Sequence, residues 1–207
     1  KAATGGYDGK GVRILRSMGD VTALPNTQCM LEEMVNFVHE LGVIVARSES
    51  LGEHETYAPV EMDFHPEANL VEFVISPARV DATIEQRARE IALRAADSFH
   101  MTGLLAVELF LLEDGTLLIN EVAPRPHNSG HLTIEGHYTN QLEQHLRAIL
   151  DLPLGSTLQK CPAVMVNIVG AEGHSGIVYY EGVESLLQMP GVTPHIYGKK
   201  ETRPWRK

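Results

Sequence analysis

Apolar and polar positions alternate with two different periods along this chain, and the change of period marks its elements. Residues 41–49, "LGVIVARSE", and 69–78, "NLVEFVISPA", read as strands, and 54–62, "HETYAPVEM", continues the pattern. The runs "VRILR" (12–16) and "CMLEEMVNF" (29–37) are also strand-like, so the early part of the chain predicts a mainly antiparallel sheet. From Asp81 to His100 the period lengthens to that of a helix. Asp81 is placed to cap it, Glu85 lies in the first turns, and Ile84, Ala88, Ile91, Ala95 and Phe99 form one apolar stripe. The following "GLLAVELFLLEDGTLLINEVA" predicts a hairpin with arms 104–112 and 116–122 around an Asp114-Gly115 turn. A second helix is expected near 138–150, with Leu142, Leu146 and Ile149 on one face. Beyond Asp151 the pattern predicts a strand at 163–170, a short helix near 181–188 and a closing strand near 194–198. This order of elements fits an α+β fold, with helices packed on mixed or antiparallel sheets.

Composition narrows the function classes. The 207 residues, 43% hydrophobic and 21% charged, can bury a sizeable core. A formal net charge of −10 disfavours non-specific binding to nucleic acid or anionic membranes, yet leaves room for a local basic pocket. The two cysteines, Cys29 and Cys161, lie in apolar strand-like runs and make no disulfide framework, which fits a reducing, cytoplasmic setting. No apolar run reaches membrane-spanning length, and no signal-peptide pattern opens the chain. The absence of an initial methionine and the stop after a basic cluster lead us to expect a fragment of a longer protein.

Several stretches carry candidate chemistry. "TGGYDGKG" (4–11) frees backbone N–H groups for close approach to a phosphate, and Lys10 adds a mobile cation. It lacks the Ser or Thr of a Walker A loop and is followed by no helix, so a glycine-rich turn stays open as a reading. Glu108 and Glu121 interrupt the two apolar arms of the hairpin. Counting back from the turn brings them near each other, where a cation such as Mg²⁺ would relieve their repulsion. In "NEVAPRPHNSGH" (120–131), Pro124 and Pro126 forbid a continuous helix, so His127 and His131 cannot present a zinc-binding pair on one helical face. What remains is a donor-rich loop suited to an oxygen-rich anion, or a polar surface turn. "EEMVNF" (32–37), with Glu40 beyond it, offers carboxylates for a base or ribose, or simply a solvated strand end. The basic ending "YGKKETRPWRK" (197–207) suits phosphate, or is a solvated terminus.

Taken in order, "TGGYDGKG", "LEEMVNF", "LLAVELF", "LLINEVAPRPHNSGH" and "RPWRK" resemble the ATP-grasp ligases, and among them the family of 5-(carboxyamino)imidazole ribonucleotide synthases. The resemblance implies a partial ATP-grasp fold: 1–31 the rest of a lid subdomain with its glycine-rich flap, 32–150 the core, and 151–207 a truncated, β-rich C-terminal region. It implies that ATP phosphorylates bicarbonate and that the resulting carboxyphosphate carboxylates 5-aminoimidazole ribonucleotide, in purine biosynthesis, with Mg²⁺ as cofactor. Lys1 and the loop Gly5, Gly6, Tyr7, Asp8, Gly9, Lys10 and Gly11 would contact the ATP phosphates. Glu32, Glu33, Met34 and Val35 would line the adenine, Glu40 the ribose, and His65 would approach the nucleotide. Glu108 and Glu121 match the magnesium ligands, with Asn120 beside them. Arg125, His127 and Asn128 match the catalytic grip on bicarbonate, and Tyr7, Lys10, Lys199 and Arg206 the ribonucleotide site. The family also implies a homodimer and a further domain ahead of Lys1. Formate-dependent glycinamide ribonucleotide transformylases share a similar "NEVAPRPH" run and stand as the alternative. The following Asn128-Ser129 and the basic ending favour bicarbonate. A non-catalytic nucleotide-binding module is the third reading.

Overall fold

The alternating stretch around residue 45 forms the strand β1 (His39–Ser48), buried along almost its whole length. It pairs antiparallel with β5 (Gly103–Leu111) on one side. On the other side β3 (Val60–Phe64) takes its Glu40–Gly42 end and β2 (Glu53–Thr56) its Val45–Ser48 end. Beyond β5 lies β6 (Leu117–Ala123), and beyond β3 lie β4 (Val71–Ser76) and β7 (Ala163–Val166). The order is β6-β5-β1-β3-β4-β7 with β2 beside β1, and every strand pairing described in this sheet is antiparallel. The computed structural model describes residues 1–5, 11–24, 26–65 and 70–206. The chain divides into two units, Lys1–Val166 and Asn167–Lys207, so the 151–207 region expected from the sequence spans both.

Strand alternation gives the sheet two different faces. Leu41, Val43, Val45, Leu105, Val107 and Leu109 turn toward the helix α1 (Ala82–Ser98) and form the main core with Ile84, Ala88, Ala92 and Ala96. Small alanines at every fourth position let the helix sit close to the sheet. Asp81 caps α1 by accepting from the N–H groups of Thr83 (2.8 Å) and Ile84 (2.9 Å). The other face carries Ile44, Ala46, Leu104 and Ala106, over which α3 (Gln141–Ile149) is laid, preceded in sequence by the short α2 (Thr133–Gly136).

The structure departs from the sequence pattern in several places. Residues 12–16 form no strand, and within 29–37 only Cys29 makes a bridge, to Ala2. Their apolar side chains stay out of any core, with Leu31 84% exposed, and local alternation cannot supply a pairing partner. Cys29 and Cys161 are both exposed. The 54–62 stretch is two strands, broken around Tyr57 where the backbone passes from β2 to β3. Phe99 lies past the end of α1 and is exposed, leaving Ala92 and Ala96 to complete the buried stripe. In α3 the face expected to be buried is outside: Leu142, Leu146 and Ile149 are exposed, and Gln141, Gln144 and Ala148 face inward.

Within Asn167–Lys207, the short β8 (Gly176–Ile177) and β9 (Glu201–Thr202) pair antiparallel, and one helical turn, α4 (Val183–Leu187), lies between them in sequence. Residues 194–198 form no strand. Gly170 holds the closing residues by donating to Arg206 O (3.0 Å) and accepting from Trp205 N (2.9 Å). Among the described residues, no helix is long and apolar enough to cross a membrane.

Candidate functional site

The face opposite α1 changes character toward one end of the sheet. Gly42 on β1 pairs with Glu108 on β5, and Glu108 pairs with Glu121 on β6, so the two carboxylates predicted from the hairpin share one register level and one face. Glu40, two residues from Gly42, lies on that face as well. A bulge opposite the step from Glu108 to Leu109 leaves Asn120 as an extra residue on β6. Such a bulge turns two consecutive side chains toward the same side. Asn120 uses this to donate from Nδ2 to Glu40 Oε1 (3.2 Å) and to accept at Oδ1 from Lys1 Nζ (3.1 Å). Lys1 Nζ also pairs with Glu32 (2.9 Å). The nucleotide and metal candidates Lys1, Glu32, Glu40, Asn120, Glu108 and Glu121 thus form one connected patch.

This patch is short of positive charge. Glu40 is 6% exposed and Glu108 9%, while Glu121 is open to solvent. Burial pushes the Glu40 carboxyl up to about 7. Hydrogen bonds from Asn120 and with Glu108 pull it back, the charge of Glu121 adds to the rise, and Lys1 opposes it. Among the described residues, no three acidic, histidine or cysteine side chains converge into a ready-made metal cage. Two hard-oxygen ligands beside an uncharged amide oxygen nevertheless fit a hard divalent cation of the Mg²⁺ type. Such an ion takes one or two carboxylates from the protein and completes its shell with water and ligand phosphates.

Against Glu108 stands the loop that leaves β6. Ala123 O accepts from Arg125 N (2.9 Å), and the two prolines hold the backbone extended up to His127. Residues Asn128–Gly130 then form a single 3-10 turn, so His127 and His131 do not share a helical face, as the prolines required. Nδ1 of His127 accepts from the Ser129 N–H (3.3 Å) and lies 2.9 Å from Ser129 Oγ. That leaves the ring proton on Nε2, the nitrogen 3.4 Å from Glu108 Oε1. The turn packs directly on the sheet. A Cβ at Gly42 would come within 3.2 Å of Ser129 Cβ, Ser129 Oγ and Val60 Cγ2, so any larger residue would push this turn outward by a few tenths of an ångström. Asn128 is half-buried, while Arg125 is exposed and donates to Pro126 O (3.1 Å).

The other predicted residues fall into three groups. Glu33, Met34 and Val35 lie in an extended, mostly exposed stretch. It is tied down at one end by Glu32 to Lys1 and at the other by Phe37, which stacks on Phe110 at 4.4 Å between ring centroids. His65 follows β3 at the Glu40 end of the sheet, its N–H bonded to Leu70 O (2.9 Å). Gly5 and Gly11 have φ of +75° and +89°, which only glycine adopts without strain. Gly6, Tyr7, Asp8, Gly9 and Lys10 between them lie outside the described residues. Lys199 and Arg206 are exposed and belong to the second unit.

One residue carried no signal in the sequence. Gln141, fully buried, accepts at Oε1 from His127 N (2.9 Å) and donates from Nε2 to His127 O (2.7 Å). Nothing in the spacing marks it, because its partner lies in an irregular loop fourteen residues away.

Residues 1–142 match the ATP-grasp domain family, and residues 163–207 match the phosphoribosylaminoimidazole carboxylase C-terminal domain. The protein is 43% identical, over all of its length and 53% of the relative's, to the N5-carboxyaminoimidazole ribonucleotide synthase of Bacillus subtilis. Among solved structures, the synthetase of Thermotoga maritima superposes with a TM-score of 0.88 at 44% identity, over the whole of this protein and 54% of that one. The Aspergillus clavatus synthase complexed with ATP reaches a TM-score of 0.90 at 36% identity, over the whole of this protein and 55% of that one. The same enzyme with ADP and 5-aminoimidazole ribonucleotide gives 0.75 at 39% identity, over 83% of this protein and 45% of that one. The sequence spans about half the length of the curated relatives it matches.

Proposed function

This protein belongs to the ATP-grasp family, and from that premise we propose that it carries out the ATP-dependent carboxylation of 5-aminoimidazole ribonucleotide by bicarbonate. The reaction is assigned to a protein of the length of those relatives, acting as a cytoplasmic homodimer. The observation that carries the reading is the pairing of Glu108 with Glu121 at one hairpin register, with His127 Nε2 3.4 Å from Glu108. The kinship to synthases, two structures of which hold ATP or ADP with the ribonucleotide, supports it.

In this reading Glu32, Glu33, Met34 and Val35 hold the adenine, Glu40 takes the ribose hydroxyls, and His65 borders the nucleotide. Lys1 and the Gly5–Gly11 loop hold the phosphates, the loop closing as a flap that keeps water from a labile acyl phosphate. Glu108 and Glu121, with Asn120 beside them, would hold Mg²⁺, which when bound neutralises charge on the nucleotide phosphates. Arg125, His127 and Asn128 bind bicarbonate, His127 offering its Nε2–H on the Glu108 side. Transfer of the γ-phosphoryl group breaks its bond to ADP and forms carboxyphosphate. Loss of phosphate then frees CO₂ next to the exocyclic amine, and the new C–N bond forms as the amine gives up a proton. Lys199, Arg206, Tyr7 and Lys10 are assigned to the ribonucleotide.

Glu121→Ala in the full-length protein tests this directly. Bicarbonate- and ribonucleotide-dependent ATP hydrolysis should fall by about a hundredfold or more. Because Glu121 is exposed, the fold should survive. Unchanged hydrolysis would sink the enzyme reading, and dependence on formate with glycinamide ribonucleotide would replace it with the transformylase.

A further inference from the structure

The buried face of α3 is built from two glutamines that behave like pieces of backbone. Gln144 donates to Gly155 O (2.7 Å) and accepts from Gly155 N (2.8 Å). Gln141, one turn earlier, does the same to both backbone groups of His127. A backbone N–H can only donate and a backbone carbonyl can only accept, so the orientation of the Gln141 amide is settled by its partner. Its second amide hydrogen points to His131 Nδ1 at 2.9 Å, and its own N–H is received by Thr133 Oγ1 (2.9 Å), which in turn donates to Gly130 O (2.6 Å). Gln141 therefore reaches His127, Gly130 and His131, three points along the loop that follows β6. Packing leaves little slack: a Cβ at Gly130 would lie 2.5 Å from Gln141 Oε1 and would collide with Ile44.

We propose that Gln141 is the positioning residue of the anion loop: its amide fixes the His127 backbone so that the imidazole presents Nε2–H on the Glu108 side. The role rests on the function proposed for His127, since Gln141 itself touches neither substrate nor metal. Without the amide, the backbone N–H and carbonyl of His127 lose their partners, and the loop gains other ways to satisfy them. The ring then loses the fixed backbone on which its contact with Ser129, and hence its tautomer, depends. Gln144 is an internal control, because it has the same chemistry and burial on the same helix but clamps Gly155, in the connection after α3, rather than the loop that carries His127.

The experiment compares Gln141→Met and Gln144→Met in the full-length protein. For Gln141→Met, kcat/KM for bicarbonate in the ribonucleotide-dependent ATPase should fall by about tenfold or more, with KM for ATP little changed. The two variants should lower the melting temperature by similar amounts, but Gln144→Met should leave bicarbonate kinetics alone. In ¹⁵N-histidine-labelled protein, the His127 ring should show Nε2–H in the wild type and in Gln144→Met, and a mixture of tautomers in Gln141→Met. An unchanged His127 ring in folded Gln141→Met, or equal kinetic losses in the two variants, would overturn the proposal. If the wild type shows no bicarbonate-dependent hydrolysis, the functional reading fails by itself, and the ring spectra still decide the role of Gln141.

Discussion

Glu40 on β1 and Glu61 on β3 are both buried, 6% and 2% exposed, and lie one residue out of phase across the same strand pair. Glu61 pairs with Leu41 and so faces α1, where Arg79 reaches it from the connection that leads into the helix. Its carboxylate takes Arg79 Nε at 2.9 Å, Nη2 at 2.5 Å and the backbone N–H at 3.2 Å, with His39 Nδ1 at 3.1 Å. The Arg79 hydrogen bonds hold its pKa below the ordinary 4.5 despite burial. Glu40, on the other face, has an amide and a distant lysine but no guanidinium, and its carboxyl rises to about 7. One site is complete in itself and pins the β4–α1 connection to the sheet. The other is incomplete until something brings positive charge or hydroxyl donors. Burial is common to both, so the sign of the shift, and with it structural or binding use, depends on the partner.

The contrast can be broken most forcefully at Glu61. Glu61→Ala should destabilise the protein by about 3 kcal/mol through the lost charge-assisted hydrogen bonds from Arg79, although the exposed guanidinium can be rehydrated. Nucleotide binding by the folded fraction should be unaffected, and denaturant titration with a parallel binding assay reads both. Since the folded Glu61 is the stronger acid, its contribution is present above pH 4.5 and fades as the pH falls further, a slope that the variant should lack.

Glu40→Gln should act with the opposite sign. Between pH 4.5 and about 7 the unfolded state ionises this group while the folded one resists, so wild-type stability declines across that window. At pH 8 the ligand-free variant should therefore be more stable than wild type by about 3 kcal/mol, the gain vanishing below pH 4.5. ATP affinity should meanwhile weaken by about tenfold. A loss of stability at pH 8 would show that Glu40 is as self-sufficient as Glu61.

The smallest effect concerns His137, a third buried ionisable group, 1% exposed and with both ring nitrogens unpartnered. Burial, with Lys160 and Arg89 nearby, lowers it from 6.5 to about 4. Because the unfolded state takes up its proton first, stability should be lost as the pH falls from 6.5 toward 4. At pH 5.5 the loss should be about 1 kcal/mol, and His137→Leu should remove that slope. An identical acid profile would place the charge uptake elsewhere.

Much of this was legible in the sequence. The Asp114-Gly115 turn and the apolar arms around it determine a hairpin and bring Glu108 near Glu121, but counting from the turn sets Glu108 opposite Asn120, and only the bulge on β6 moves Glu121 into register with it. Asp81 announced the start of α1. The expected strands at 12–16, 29–37 and 194–198 fail because alternation states only what a segment could pair with, and pairing partners are supplied from elsewhere in the fold. The inversion of α3 has the same origin. Leu142, Leu146 and Ile149 make the more apolar face, but two backbone segments needed hydrogen bonds that only Gln141 and Gln144 could provide.

What the sequence determined by itself is therefore local: periods, caps, turns, and the prolines that rule out a helix between His127 and His131. The tertiary structure decided which buried carboxylate meets a guanidinium, that an extra residue in β6 brings Asn120 beside Glu40, and that a glutamine from α3 holds His127. These depend on contacts between residues well separated along the sequence. Side-chain charge and hydrogen-bonding capacity are properties of a residue, whereas desolvation and partnership are properties of a place.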